Sequence, residues 1–246
     1  MKHLLLASLF AILPITGIAA TQAPQTFEVS YSATMGNVPV DGTAERKLVK
    51  QPDGTWQLTF NAEMLFYSFS EQSRFKLDEN NRIQPISYQL SKGALGKNRQ
   101  ASVNFDWKRK QADSREDNDQ WALAIQPGDL DKISYQLQLQ EDMRQGRKDL
   151  HYLVVNEDER DDYQFLIEKE EILQTLLGEI NTVRLKMQRN NNKRQTWIWL
   201  AKDWNYMLVK LRQVEKNKDY VINLKSASID GKTLQPTIAR KNASGT

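Results

Sequence analysis

The dominant pattern along the chain is an alternation of apolar and polar residues with a period of two. Side chains of a β-strand point alternately to its two faces, so this pattern predicts half-buried strands. Turn-forming residues separate the segments, as at Pro52-Asp53-Gly54, where Pro sets φ and Gly accepts a positive φ. Regularly spaced strands of this kind predict a mostly β, antiparallel sandwich or barrel rather than a parallel sheet. The predicted strands lie near 27–33, 43–50, 56–62, 73–77, 86–90, 101–107, 121–125, 151–155, 163–167, 183–187, 196–200, 207–214 and 220–224.

One segment has a helical period instead. Leu130, Ile133 and Leu137 are spaced three and four residues apart, and Pro127-Gly128-Asp129 precedes them. Asp is a favoured N-cap residue, so Asp129 is predicted to begin a helix of two to three turns. Because such a helix has one apolar face, we expect it to pack on the sheet.

The first twenty residues have the parts of a secretory signal peptide. Lys2 is basic, the run from Leu4 to Ile15 is apolar apart from Ser8, and small residues end at Ala19 and Ala20. The apolar run is shorter than the roughly 18–20 residues that cross a bilayer. We therefore expect residues 1–20 to be removed, after Ala19 or Ala20, and the protein to be periplasmic without a membrane span.

Composition narrows the classes of function. The chain has 246 residues, no Cys and a formal net charge of +3. Without Cys there is no lipidation site at the cleavage point, so a lipoprotein is not expected. A chain of this length can bury a sufficient core without disulfides. The small charge excess is spread widely, so no nucleic-acid partner is predicted.

No group of residues marks a catalytic or metal site. His151 is the only His after the predicted signal peptide, and it lies in an apolar strand, so a catalytic triad and a zinc site are both disfavoured. The acidic residues considered as a catalytic carboxylate pair occur in turns and strands, where solvated roles are commoner. They are Asp161, Asp162, Glu168, Glu170 and Glu171, while Asp113, Glu116, Asp117 and Asp119 lack the spacing of a calcium loop. We expect no cofactor, no metal and no enzymatic activity.

Some strands are apolar on both faces. In the segment 197–200, Trp197 and Trp199 point to one face while Ile198 and Leu200 point to the other, and the segments 64–67 and 207–209 are similar. Such strands are covered on both faces, either by ordinary core or by an apolar ligand. The residues predicted to line a ligand-binding apolar face are Trp56, Phe60, Phe105, Trp197 and Trp199.

Four segments resemble one bacterial family, the domain of unknown function (DUF) 3108. They are Phe27-Glu28-Val29-Ser30-Tyr31, the helical segment 128–137, Leu177 to Leu185, and Arg194 to Asp203. In that order they extend over roughly residues 27–227. The resemblance implies an exported envelope protein with an antiparallel half-barrel, or open barrel, and one short packed helix. It implies an architecture similar to the carriers of lipoproteins in the periplasm, and it implies no catalytic residues.

Three hypotheses for function follow. The first is a non-catalytic binding protein of envelope maintenance that holds an acyl chain or a lipoprotein segment. The second is a module that binds an envelope protein through a sheet edge or helix face. The third, weaker one is a hydrolase of envelope glycans or lipids that uses acidic residues. One β domain is predicted over residues 21–228, followed by a C-terminal extension over 229–246.

Overall fold

A computed structural model describes residues 23–35, 38–64, 67–94, 96–188 and 194–236. These residues form fifteen β-strands, one α-helix and one 3-10 turn at Lys202–Trp204. The elements are β1 (Phe27–Met35), β2 (Val38–Lys50), β3 (Trp56–Met64), β4 (Tyr67–Leu77), β5 (Ile83–Ala94), β6 (Lys97–Asp106), β7 (Gln111–Glu116), β8 (Asp119–Ala124), α1 (Ser134–Arg144), β9 (His151–Val155), β10 (Arg160–Thr175), β11 (Gly178–Gln188), β12 (Arg194–Ala201), β13 (Met207–Glu215), β14 (Lys218–Ile229) and β15 (Lys232–Thr233).

The strands form one continuous antiparallel sheet. Its order runs from β8 back to β1, then from β14 back to β9, with β15 paired to β14. Strands β8 and β9 are the two edges, and the chain between them carries α1. The sheet curves into a nearly closed antiparallel barrel, which confirms the predicted mostly β, open-barrel fold with one short packed helix.

The barrel has two different ends. We call the end where β3 passes into β4, near Met64 and Tyr67, the turn end. We call the opposite end, where β4 passes into β5 near Leu77 and Ile83, the helix end. Helix α1 lies by this second end, since Gln138 accepts a hydrogen bond from the Ile83 amide through its Oε1 (2.9 Å).

The alternation in sequence becomes two faces of the sheet. On β1, Val29 and Tyr31 are fully buried, whereas Glu28 between the buried positions is exposed. The buried face continues on the neighbouring strands, because Tyr31 pairs with Ala44 on β2 and with Leu224 on β14. The buried face forms the inner wall of the barrel and the hydrophobic core.

Helix α1 begins later than the sequence predicted. The prediction placed its N-cap at Asp129, but the helix starts at Ser134. Leu130 makes a parallel bridge to Val154, which keeps the chain extended at that point. The Asp129 carboxylate therefore accepts from the Gln126 amide (3.1 Å) and from Arg160 (2.7 Å) rather than from a helix. The N-cap position is Ile133, and Asp131 two residues earlier accepts a hydrogen bond from the Ser134 amide through its Oδ1 (2.8 Å).

Polar contacts of this segment join the two edges of the barrel. The Ser114 hydroxyl on β7 donates to the carbonyl oxygen of Glu157, which lies in the loop between β9 and β10. Lys132, just before α1, donates to the Glu157 carboxylate (2.7 Å). The seam between the two edges is thus closed by the segment before α1 and one loop.

The predicted signal peptide at residues 1–20 lies outside the described residues. Within the described part of the chain, no helix has the length and apolar character needed to cross a bilayer. At the other end, β15 pairs with β14 through Ser228 and Ile229, so the boundary predicted at 228 falls within a short hairpin.

Candidate functional site

On β3 and β4 the inner wall becomes more exposed toward the turn end. On β3, Trp56 and Leu58 are 6% and 0% exposed, whereas Phe60 farther along the same face is half-buried. On β4, Phe75 is fully buried, but Tyr67 at the turn end is 39% exposed. Further inward-facing apolar residues of this end are also half-buried: Ala62, Phe69, Leu211 and Ile222. Among the described residues, the inner wall is therefore fully packed at the helix end and only partly buried on β3, β4, β13 and β14 at the turn end.

Several small residues lie on the inner face at the turn end. Ala33 pairs with Gly42, and Ala44 pairs with Ala62, so the inner face of β1 to β3 carries four small residues in this region. A Cβ atom at Gly42 would collide with the side chain of Met64. Met is a flexible side chain that adapts to irregular apolar space. The Met64 side chain therefore fills the space beside Gly42.

Aromatic rings line one side of this opening. Phe60 and Phe69 contact edge to face, with ring centroids 6.0 Å apart. Phe69 also stacks with Tyr67 at 6.5 Å. The amine of Lys92 lies 5.3 Å from the centre of the Phe69 ring. The opening thus has an apolar wall with a cation at its border.

A carboxyl group faces into the same end of the barrel. Glu71 on β4 pairs in register with Phe60, and it accepts a hydrogen bond from the Tyr88 hydroxyl (2.5 Å). Burial raises the pKa of Glu71 to about 7, although the hydrogen bond from Tyr88 and the nearby Lys132 and Lys92 act in the opposite direction. A titratable carboxyl beside an apolar opening is a common feature of binding and catalytic sites.

Glu71→Gln is expected to stabilise the protein at alkaline pH and to leave it nearly unchanged in acid. The folded-state pKa is raised from 4.5 to about 7, so the stability that the protonated group provides is lost as the pH rises through that window. At about pH 8 the variant should be more stable by about 2 kcal/mol, a value reduced for the partial exposure of the group. Urea denaturation of both proteins at about pH 4.5 and about pH 8 measures the difference. Equal differences at the two values would contradict the assignment.

Three of the five predicted lining residues face the interior. Phe60 lies at the turn end, whereas Trp56 and Phe105 are 6% and 8% exposed and belong to the packed part of the core. A cavity of about 50 Å3 at the helix end is lined by both α1 and the sheet. That volume suits a few water molecules and not an acyl chain. The helix end is therefore not the predicted ligand site.

Trp197 and Trp199 lie on the outer face of the sheet. Their neighbours Ile198 and Leu200 pair with Leu185 and Val183 of the inner face. The two indoles instead alternate with cations of the adjacent strands. Trp197 contacts Lys186 and Arg212, and Trp199 contacts Arg184 and Lys210 at ring distances of 4.9–6.0 Å. Long cationic side chains cover aromatic surface with their stems, so this strand is covered on both faces without a ligand.

A second concave region lies on the outer face of β4 to β7. The groove has a volume of about 660 Å3. Its walls are mainly amides and hydroxyls, including Gln72, Gln89 and Ser102, which share the face opposite to Tyr88 and Val103. Its chemistry suits a polar ligand and not an acyl chain.

The acidic residues considered for catalysis have surface partners. Glu168 pairs with Arg184 (2.7 Å) and Glu170 with Lys202 (2.5 Å). His151 Nε2 lies 2.6 Å from Asp162 Oδ1, and both side chains are largely exposed. Within the described residues, no group of three or more potential metal ligands occurs.

The sequence-based candidates omitted the interior polar residues. Arg46, Glu71 and Asp131 are all directed into the barrel or against α1. The alternation indicated the first two, because Arg46 is two residues from both Ala44 and Leu48 and so lies on the same face of its strand. Glu71 likewise lies an even number of residues from Phe69 and Phe75 and so shares their face.

Comparison with known proteins places the fold. A family model described as "Protein of unknown function (DUF3108)" matches residues 26–225. No curated protein matches the chain. Among solved structures, the chain is similar to a β-barrel-like protein of the domain of unknown function DUF1849 from Brucella abortus. The two share 8% identity and a TM-score of 0.58, over 86% of this chain and 100% of that chain. At this identity the similarity shows the barrel fold alone.

Proposed function

Because the chain belongs to the DUF3108 family of proteins of unknown function, we propose a function from its own geometry: it is a non-catalytic carrier that holds an apolar ligand in the turn end of its barrel. The ligand is an acyl chain or the acylated segment of a lipoprotein. The observation that carries the proposal is the set of inward-facing apolar residues, from Phe60 to Ile222, that remain half-buried at this end.

Apolar residues that line the inside of a barrel normally fill it. At the helix end they do, since Leu48, Leu58 and Phe75 are fully buried. Leaving equivalent positions of the same strands open to water forgoes about 25 cal/mol for each Å2 of apolar surface. An acyl chain in the opening would remove that surface from water. Concave, mostly apolar sites with a few polar groups are typical of small-molecule binding.

The proposed place of action is the periplasm, in maintenance of the cell envelope. This part of the proposal is supported by the predicted signal peptide at residues 1–20. It requires that the protein recovered from cells lack those residues and fractionate with the periplasm. Intact-mass measurement of the purified protein decides this, because retention of Met1 would contradict export.

Ala62→Trp is expected to block ligand uptake. Ala62 is half-buried on the inner face of β3, so a large ring there would occupy the opening. Affinity for a fluorescent fatty acid should fall by about tenfold or more, with little change in the midpoint of thermal unfolding. Ala124→Trp, on the exposed side of edge strand β8, is the matched control and should bind as the wild type does.

The uptake experiment has two outcomes that count against the carrier. Native mass spectrometry of protein purified from the periplasm should show bound acyl species. Protein that is consistently free of ligand and takes up no fluorescent fatty acid would exclude the proposal. Equal uptake by Ala62→Trp and the wild type would place any binding elsewhere on the molecule.

A second candidate function is supported by strand β10. Strand β9 pairs only with residues Arg160–Gln164 of β10, so within the described residues the rest of that edge has no strand partner. Leu166, Ile172 and Leu176 in or next to this segment are 49%, 56% and 81% exposed. An open edge with exposed apolar residues can receive an added strand from a partner protein. This is the interaction-module alternative.

A further inference from the structure

Arg46 is a buried cation in the wall of the proposed carrier site. Its side chain is on the inner face of β2, and the residue is only 1% exposed. In register it lies between Val29 on β1 and Phe60 on β3. Val29 is fully buried and Phe60 is half-buried. Arg46 is therefore a buried residue of the core whose partner on β3, Phe60, belongs to the half-buried end, while burial on β1 and β2 continues to Ala33 and Ala44.

The guanidinium lacks a negatively charged partner. Among the described residues, neither Nη1 nor Nη2 has a partner within hydrogen-bond geometry, and the ionisable groups that act on the guanidinium are the tyrosines Tyr31 and Tyr135 rather than a carboxylate. The Tyr31 hydroxyl donates its proton to the carbonyl oxygen of Leu208 (2.9 Å), and its oxygen is a neutral acceptor for the Arg46 side chain. Arg stays protonated in proteins, and an unpaired buried charge is costly.

The other neighbours of the guanidinium are aromatic rings rather than anions. It lies over the Phe27 ring, 5.1 Å from its centre, and near Tyr135 of α1. Glu71 is in the same row of the sheet, but Phe60 stands between the two residues and Tyr88 donates to the Glu71 carboxylate. Planar guanidinium groups bind carboxylates through two parallel hydrogen bonds. A carboxylate is therefore the group that would pair with Arg46.

We infer that Arg46 binds the carboxylate of an acyl ligand that enters the turn end with its headgroup first. The inference rests on the proposed carrier function and specifies its ligand as a fatty acid rather than a neutral lipid. The carboxylate lies against Nη1 and Nη2, and the alkyl chain extends outward along Phe60, Phe69 and Ile222. Tyr31 and Phe27 hold the guanidinium in place.

The test compares dodecanoate with dodecanol, which have the same alkyl chain and differ in headgroup. Wild-type protein should bind dodecanoate about 10- to 100-fold more tightly, as expected for a charge-assisted pair away from water. In Arg46→Met the affinity for dodecanoate should fall to that for dodecanol, while dodecanol affinity stays unchanged. Arg115→Met, an exposed position on β7, is the matched control and should alter neither affinity.

Stability supplies an independent readout. Removing an unpaired buried charge commonly stabilises a protein, so Arg46→Met should raise the midpoint of thermal unfolding in the absence of ligand. A merely structural Arg would give the opposite sign. Arg46→Lys keeps the charge without the planar fork, and it should keep part of the preference for dodecanoate.

The outcomes separate this inference from the carrier proposal. If wild type binds neither probe, the carrier proposal fails and the inference fails with it. If both probes bind equally well to wild type, the carrier stands and the carboxylate assignment is wrong. The comparison on wild type alone decides this, even if Arg46→Met does not fold. Unchanged preference for dodecanoate in Arg46→Met would likewise overturn the role of Arg46.

Discussion

Phe75→Ala is expected to lower the free energy of unfolding by about 3–5 kcal/mol, the range for deleting a large aromatic side chain from a packed core. Phe75 is fully buried on the inner face of β4 and pairs with Trp56 on β3. It lies at the helix end, where the wall is packed and has little freedom to collapse into the space left behind. Chemical denaturation of wild type and variant measures the loss.

Phe69→Ala is the matched comparison on the same strand and the same face. Phe69 is half-buried at the turn end, so its removal should cost roughly 1–2 kcal/mol of stability. It should nevertheless weaken fatty-acid binding, which Phe75→Ala should not do in the protein that remains folded. Losses of equal size in the two variants would show that the turn end is packed like the helix end, and they would contradict an open site.

Asp131→Ala is expected to lower the free energy of unfolding by about 3 kcal/mol, because it leaves buried donors without an acceptor. Asp131 is fully buried and accepts from the amides of Ile133 (3.1 Å) and Ser134 (2.8 Å) and from the Ser73 hydroxyl (2.5 Å). These bonds tie the start of α1 to β4. Hydrogen exchange of the α1 amides should accelerate in the variant.

Asp131→Asn separates hydrogen bonding from charge. Burial raises the pKa of Asp131, so the protein favours a neutral group there more than water does. The Asn carbonyl can accept hydrogen bonds from the two amides. The free energy of unfolding of the variant should therefore lie within about 1 kcal/mol of wild type. If Asp131→Asn were as unstable as Asp131→Ala, the negative charge itself would be required.

The alternation predicted a mostly β, antiparallel sandwich or barrel, and the half-barrel came from the resemblance to the DUF3108 family. Residues such as Val29 and Tyr31 on one side and Glu28 on the other report directly which face is buried. The same rule located one helix but misplaced its start, because the long-range bridge of Leu130 to Val154 overrides the local capping preference of Asp129. Local sequence contains no information on that contact.

The candidate site was predicted only in part. Phe60 was included, but Trp197 and Trp199 were grouped with it although the barrel places them outside. The alternation places Trp197 and Ile198 on opposite faces of the strand, but it does not indicate which face is the inner one. The sequence also could not predict that Trp56 is buried while Phe60 is half-buried. That difference depends on long-range packing and not on either residue type.

Methyl NMR during a fatty-acid titration tests the central claim most directly. Leu211 and Ile222 face the turn end, whereas Leu166 and Ile172 are exposed on the β10 strand. Addition of dodecanoate to the full chain should shift the methyl signals of Leu211 and Ile222 and leave those of Leu166 and Ile172 unchanged. Shifts confined to β10, or none at saturating ligand, would contradict the assignment of the open end as an acyl-binding site.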